Sequence, residues 1–142
     1  MKNKAFLPLT EQILMVLFFA LAAAICLRGF SLASEISYNG DTLDLAVASA
    51  QNTAEVLKLT KGDFQKAADI LNGTNKEGSI YISYAEDGTA VTDPDLKHRF
   101  YIVVTKKQTD NPYLSGADIL AKNDDGTIFE LTVNWQNGGL YE

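Results

Sequence analysis

Cysteine is almost missing from this chain: among 142 residues the only thiol is Cys26. Everything beyond it therefore lacks an internal disulfide and a thiolate zinc site, and its stability must come from packing. Histidine is equally scarce. His98 stands alone between Lys97 and Arg99, so a Ser-His-Asp arrangement has one candidate base and no nameable nucleophile or orienting carboxylate. A solvated, polar strand end is the expectation there. A glycine-rich phosphate loop, paired carboxylates at catalytic spacing and a basic stripe are all lacking, so neither an enzyme nor a cofactor is expected. Cationic charge is short as well. Residues 34–142 hold 9 Lys and Arg against 17 Asp and Glu, a net charge of −8 that repels nucleic acid and anionic headgroups.

What the chain does have is one long apolar run. Residues 13–27 read ILMVLFFALAAAICL, with Ile13, Leu14, Leu17, Phe18, Phe19 and Leu21 as its bulk. At 1.5 Å per residue these fifteen residues cover about 22 Å. Crossing a hydrocarbon core of ~30 Å needs Phe6 to Leu9 and Phe30 to Leu32 as well. Glu11 and Arg28 then fall near opposite interfaces, where their side chains reach the headgroups. Lys2 and Lys4 precede the run and only Arg28 follows it, so the start is expected in the cytoplasm and the rest outside. The expected division is 1–33, a basic start and membrane-spanning helix in contact with lipid, and 34–142, one extracytoplasmic α+β domain of ordinary size.

Two other readings of the same segment exist. Ser31-Leu32-Ala33 before Ser34 supplies the small residues of a signal-peptidase cut, which would release the domain. Against that cut, Glu11 and Gln12 interrupt the basic start and Arg28 interrupts the approach. A lipoprotein reading would need a small residue where Ile25 precedes Cys26, and Cys26 reads instead as one more apolar side chain of the helix.

Past the run, Tyr38-Asn39-Gly40 predicts a break, since Asn and Gly offer the left-handed conformation that ends helices. Leu43, Ala46, Val47, Ala50, Ala54 and Leu57 then form one stripe of a 3.6-residue period, with Asp44, Gln51, Glu55 and Lys58 toward water. A shorter helix fits Asp63 to Asn72, started near Thr60 and Asp63 and closed by Asn72-Gly73. From Gly78 the period becomes 2, and four strands follow: Ile80, Ile82, Tyr84; Phe100, Ile102, Val104; Ala117, Ile119, Ala121; and Phe129, Leu131, Val133, Trp135. Glu86-Asp87-Gly88-Thr89 and Asp124-Asp125-Gly126-Thr127 are turn signals.

The second turn sets a register. A two-residue loop at Asp125-Gly126 would put Phe129 opposite Lys122 and Val133 opposite Asp118. A type I turn with a glycine bulge pairs Asn123 with Thr127, and then Phe129 faces Ala121, Leu131 faces Ile119 and Val133 faces Ala117. One sheet face becomes wholly apolar. The expected architecture is α+β: a long N-terminal helix, half membrane-spanning and half amphipathic, packed on a four-stranded antiparallel sheet.

A basic start, Leu9-Thr10-Glu11 entering a long apolar helix, an amphipathic continuation and a strand meander together resemble the type IV pilin and pseudopilin family. That resemblance implies a structural subunit of a type IV filament, or of a secretion or uptake apparatus. Its mature chain would begin at Leu7, and Glu11 would neutralise the N-terminal amine of a neighbouring subunit. Phe6 stands where the family's peptidase requires glycine, and Pro8 and Gln12 also depart from the pattern. Glu11, Leu9 and Thr10 are thus the candidate assembly residues, and other pilin-like subunits the candidate partners. Without assembly, Glu11 has Lys2 and Lys4 of its own chain as partners. The alternative function is a binding module on a membrane tether, or released by a cut after Ala33.

Among lesser candidates, Asp93 and Asp95, or Asn123, Asp124 and Asp125, offer oxygens to calcium, as some pseudopilin loops do. Their spacing follows no known calcium loop, and all suit ordinary turns, so no metal site is expected. Tyr81, Tyr101, Tyr113, Tyr141 and Trp135 read either as a recognition surface or, for Tyr81 beside Tyr101, as a cross-strand pair that stabilises the sheet.

Overall fold

The structure is a computed structural model that describes residues 6–92 and 97–137. Lys2, Lys4, Asp93, Asp95 and Tyr141, named above, lie outside that range. Two compact units divide the chain, Met1–Gly40 and Asp41–Glu142.

The described part of the first unit is helix. α1 spans Phe6–Leu59, so it begins in the first unit and ends in the second. Every described residue of the first unit is exposed. The break expected at Tyr38-Asn39-Gly40 is not there, and the helix continues through it. Asn and Gly each cost a helix interior about 1 kcal/mol or less relative to alanine. Stopping would forfeit a turn of hydrogen bonds and require a second costly nucleus, so continuation wins.

In the second unit α1 buries Thr42, Ala46, Ala50, Thr53, Ala54, Val56 and Leu57, with Leu45 packed against the same core. The expected stripe is therefore rotated toward the threonines. Leu43 stays 41% exposed and Val47 only half-buried, while Asp44, Gln51, Glu55 and Lys58 face water as expected. Small side chains let the helix lie close on the sheet, and local hydrogen bonds make the threonines tolerable there: the Thr53 hydroxyl donates to the Ser49 carbonyl at 2.8 Å. Burial under this part of α1 holds the Tyr84 hydroxyl above the ordinary phenol pKa, with the Ser49 and Thr53 side chains acting the other way.

α1 ends where Lys61 (φ 52) and Gly62 (φ 76) turn left-handed and the Gly62 N–H returns to the Leu57 carbonyl at 2.9 Å. Gly62 is also required by contact: a Cβ there would lie 2.4 Å from the Trp135 ring. α2, Phe64–Leu71, is capped by Asp63, whose carboxylate accepts from the Lys66 N–H at 3.2 Å, and by Asn72 in the left-handed region.

All four expected strands form, as β2 (Ser79–Tyr84), β4 (Phe100–Lys107), β5 (Leu114–Asn123) and β6 (Gly126–Gln136). Two short ones add to them, β1 (Thr74–Lys76) and β3 (Ala90–Val91), so the sheet is not four-stranded but six-stranded. Three and two residues are too few for a period to be read. β1 exists because Glu77 and Gly78, both at positive φ, turn it directly onto β2. The order is β1-β2-β4-β5-β6, with β3 beside β2, all pairings antiparallel.

The core lies between the inner sheet face and the two helical segments of this unit. Ile80, Ile82, Phe100, Ile102, Val104, Ala117, Ile119 and Ala121 are completely buried, and Tyr84 stacks on Phe100 with ring centres 4.8 Å apart. Phe129 pairs with Ala121, Leu131 with Ile119 and Val133 with Ala117, the expected register. One detail differs. Asn123 pairs with Gly126 rather than Thr127, and the irregularity falls two residues further along β6, leaving Ile128 rather than Gly126 as the unmatched residue. The reason is the Asn123 side chain, whose Oδ1 accepts from the N–H groups of both Asp125 and Gly126 at 3.0 Å and closes a tighter turn.

Candidate functional site

The candidate site in the first unit is the apolar surface of α1 itself. Ile13, Leu14, Leu17, Phe18, Phe19 and Leu21 are each more than half exposed, although burying one such side chain is worth roughly 1.5–3 kcal/mol. This helix is long and apolar enough to cross a membrane, and none of its most apolar window is buried within the chain. Leu9, Thr10 and Glu11 precede that surface by one turn. Leu9 and Glu11 are exposed, and the Thr10 hydroxyl is turned back to the Phe6 carbonyl at 2.7 Å. Cys26 is exposed on the same helix.

In the second unit the lesser candidates separate. His98 Nε2 approaches Asp124 Oδ1 at 3.9 Å, and its ring meets Tyr101 edge-on at 5.7 Å. This is a polar contact at the mouth of β4, as expected. Asn123 has its side-chain oxygen committed to the turn, and among the described residues no three or more histidine, cysteine, aspartate or glutamate side chains converge as a metal site. The aromatic set is not one surface. Trp135 is buried against Gly62, Tyr113 is exposed in the β4–β5 connection, and Tyr81 pairs with Val103 while Tyr101 pairs with Ser83. Tyr81 and Tyr101 are thus diagonal, not directly opposite, as one-residue steps of register dictate.

Three features had no signal in the sequence. On the outer sheet face, Tyr81, Val103, Leu120 and Glu130 form a row across four strands, and Asp118 beside it accepts from the Thr132 hydroxyl at 2.7 Å and Lys107 Nζ at 3.2 Å. The Thr132 hydrogen bond, then Lys107, holds the Asp118 carboxyl below the usual carboxylate range. The second is the bond from Arg99 Nε to Thr42 Oγ1 at 2.8 Å, joining positions 57 residues apart, with Arg99 also donating to the Glu86 carbonyl. The third is the long edge of β6, open among the described residues. The first and third depend on which strands become neighbours, the second on where α1 meets the bend before β4.

No family model matches the chain, and neither do any curated proteins or solved structures.

Proposed function

We propose that this protein is a membrane-anchored structural subunit, pilin-like or pseudopilin-like, of a filament, secretion or uptake apparatus. The observation that carries the reading is the uncovered apolar surface of α1, together with an independently packed α+β head. So much exposed apolar surface must be covered by lipid or by other helices. In this reading residues 1–33 insert with the start in the cytoplasm, and the acidic head stands outside. Apolar helices gain little from mere contact in lipid, so a buried charge pair made by Glu11 would contribute specifically to association.

The test has two stages. The mature N-terminus is read by mass spectrometry from native membranes, and residues 7–32 are expected to be retained. A soluble product beginning at Ser34 would sink the anchor. Cross-linking between subunits is then compared for the native chain and Glu11→Ala. Reduced cross-linking with insertion and head intact supports a subunit. Unchanged cross-linking leaves a tethered binding module as the better function.

A further inference from the structure

The two edges of the sheet differ. One ends in β1 and β3, three and two residues long; the other is β6, eleven residues that among the described residues are paired along one side only, with β5. Neighbouring residues of an antiparallel strand point their N–H and C=O groups alternately to either side, so every second residue of β6 aims a donor and an acceptor away from β5. Natural edges are usually short, or carry proline or lysine. β6 is neither short nor furnished with proline or lysine: Glu130 is its single charge, and its one protective device is the bulge-like irregularity at Ile128. Over the first half of β6 the apolar layer also stops short at this edge, although Val133 and Trp135 further along are buried. Ala121 and Ile119 of β5 are completely buried, whereas their partners Phe129 and Leu131 are only half-buried.

We propose that β6 receives an added strand: an extended segment of a partner protein, antiparallel to β6 and covering Thr127 to Trp135. Its alternate side chains would be apolar, completing the layer over Phe129 and Leu131, and its outward ones cationic, with lysine or arginine opposite Glu130. The charge follows from the head, at −8 over residues 34–142, and from Asp124 and Asp125, both exposed at the start of β6. A second copy of this chain fits less well. Antiparallel pairing of β6 with itself requires a twofold axis normal to the sheet, which reverses residues 41–59 of α1 between the copies. Each copy of the head also carries −8 over residues 34–142, so that pairing would set like charges side by side.

The experiment is amide hydrogen exchange on the full chain in zwitterionic detergent, with three synthetic peptides as probes: alternating valine and lysine, alternating proline and lysine, and alternating valine and glutamate. The valine–lysine peptide is expected to slow alternate amides of β6 between Thr127 and Trp135, and the proline–lysine peptide, equally charged but unable to pair, to leave them unchanged. Glu130→Lys should weaken the first effect several-fold and favour the valine–glutamate peptide. Equal protection by proline–lysine would reduce the effect to bulk charge and overturn the proposal. Protection outside β6, or none, overturns it as well, and β6 protection that rises with protein concentration alone would assign the edge to a second copy. The native-chain arms need no variant to fold, and the fate of the anchor is read separately by the N-terminus.

Discussion

The two parts of α1 are both rich in apolar residues, yet they are built for different surroundings. Between Ile13 and Leu27 the apolar side chains are contiguous and mostly large, cover the helix all round, and none is buried by the chain. Between Thr42 and Leu57 they are spaced and the buried ones are mostly alanine, and Ala46, Ala50 and Leu57 are completely buried under a sheet. A helix covered on all sides by lipid or other helices needs no polar face, whereas one lying on a sheet needs one face that is apolar and narrow enough for close approach. Size and spacing, more than total apolarity, tell the two environments apart.

The largest break in that comparison is expected from Leu57→Asp set against Lys58→Asp. The first puts an unpaired charge in the core at a cost of about 3–5 kcal/mol, the second changes a solvated position by within about 0.5 kcal/mol. Thermal melting of the chain in detergent, followed by near-ultraviolet dichroism, should separate them, and coincident curves would mean that the buried face is wrongly assigned. Leu17→Asp tests the other part. It should cost roughly 3 kcal/mol of insertion and shift the chain out of the membrane fraction while the melting of the head stays unchanged. A fall in head stability there would show that the apolar surface has a partner within the chain.

Gly62→Ala should be milder but still clear, about 2 kcal/mol, because it combines a Cβ at positive φ with a clash against the Trp135 ring. Trp135 fluorescence offers a local readout. The smallest effect expected is that of acid. Asp63, Asp87 and Asp118 all have carboxyls held below the ordinary value of 3.8, chiefly by the Lys66 N–H, the Thr89 hydroxyl and the Thr132 hydroxyl respectively. Their folded pKa values are depressed, so the stability they contribute is complete above 3.8 and is lost as the pH falls below it. Melting temperature against pH should therefore drop on the acid side, with a shallower limb for Thr132→Val. An identical limb in that variant would remove Asp118 from the account.

Much of the head was legible because its physics is local. The pairing of Phe129, Leu131 and Val133 with Ala121, Ile119 and Ala117 could be read before any contact was known, since a one-residue slip would have set Phe129 against Lys122. Asn72 closing α2 is equally local, one residue accepting positive φ. The rotation of α1 toward Thr42 and Thr53 was not legible. Hydropathy ranks threonine as polar; Thr53 satisfies its hydroxyl within the helix at the Ser49 carbonyl, whereas the Arg99 guanidinium reaches Thr42 only when the bend before β4 meets α1.

By itself, then, the sequence determined the period of the longer segments, which face of the four long strands is apolar and where the turns at Gly88 and Gly126 fall, because these follow from side-chain chemistry within a few residues. It also determined that one stretch of α1 carries more apolar surface than the chain covers. Only the tertiary structure decided that α1 runs through Gly40, that β1 and β3 join the sheet, and that β6 is an open edge. Helix continuation trades a weak local preference against nucleation, short strands exist only through their neighbours, and an edge is defined by the strand that is not beside it.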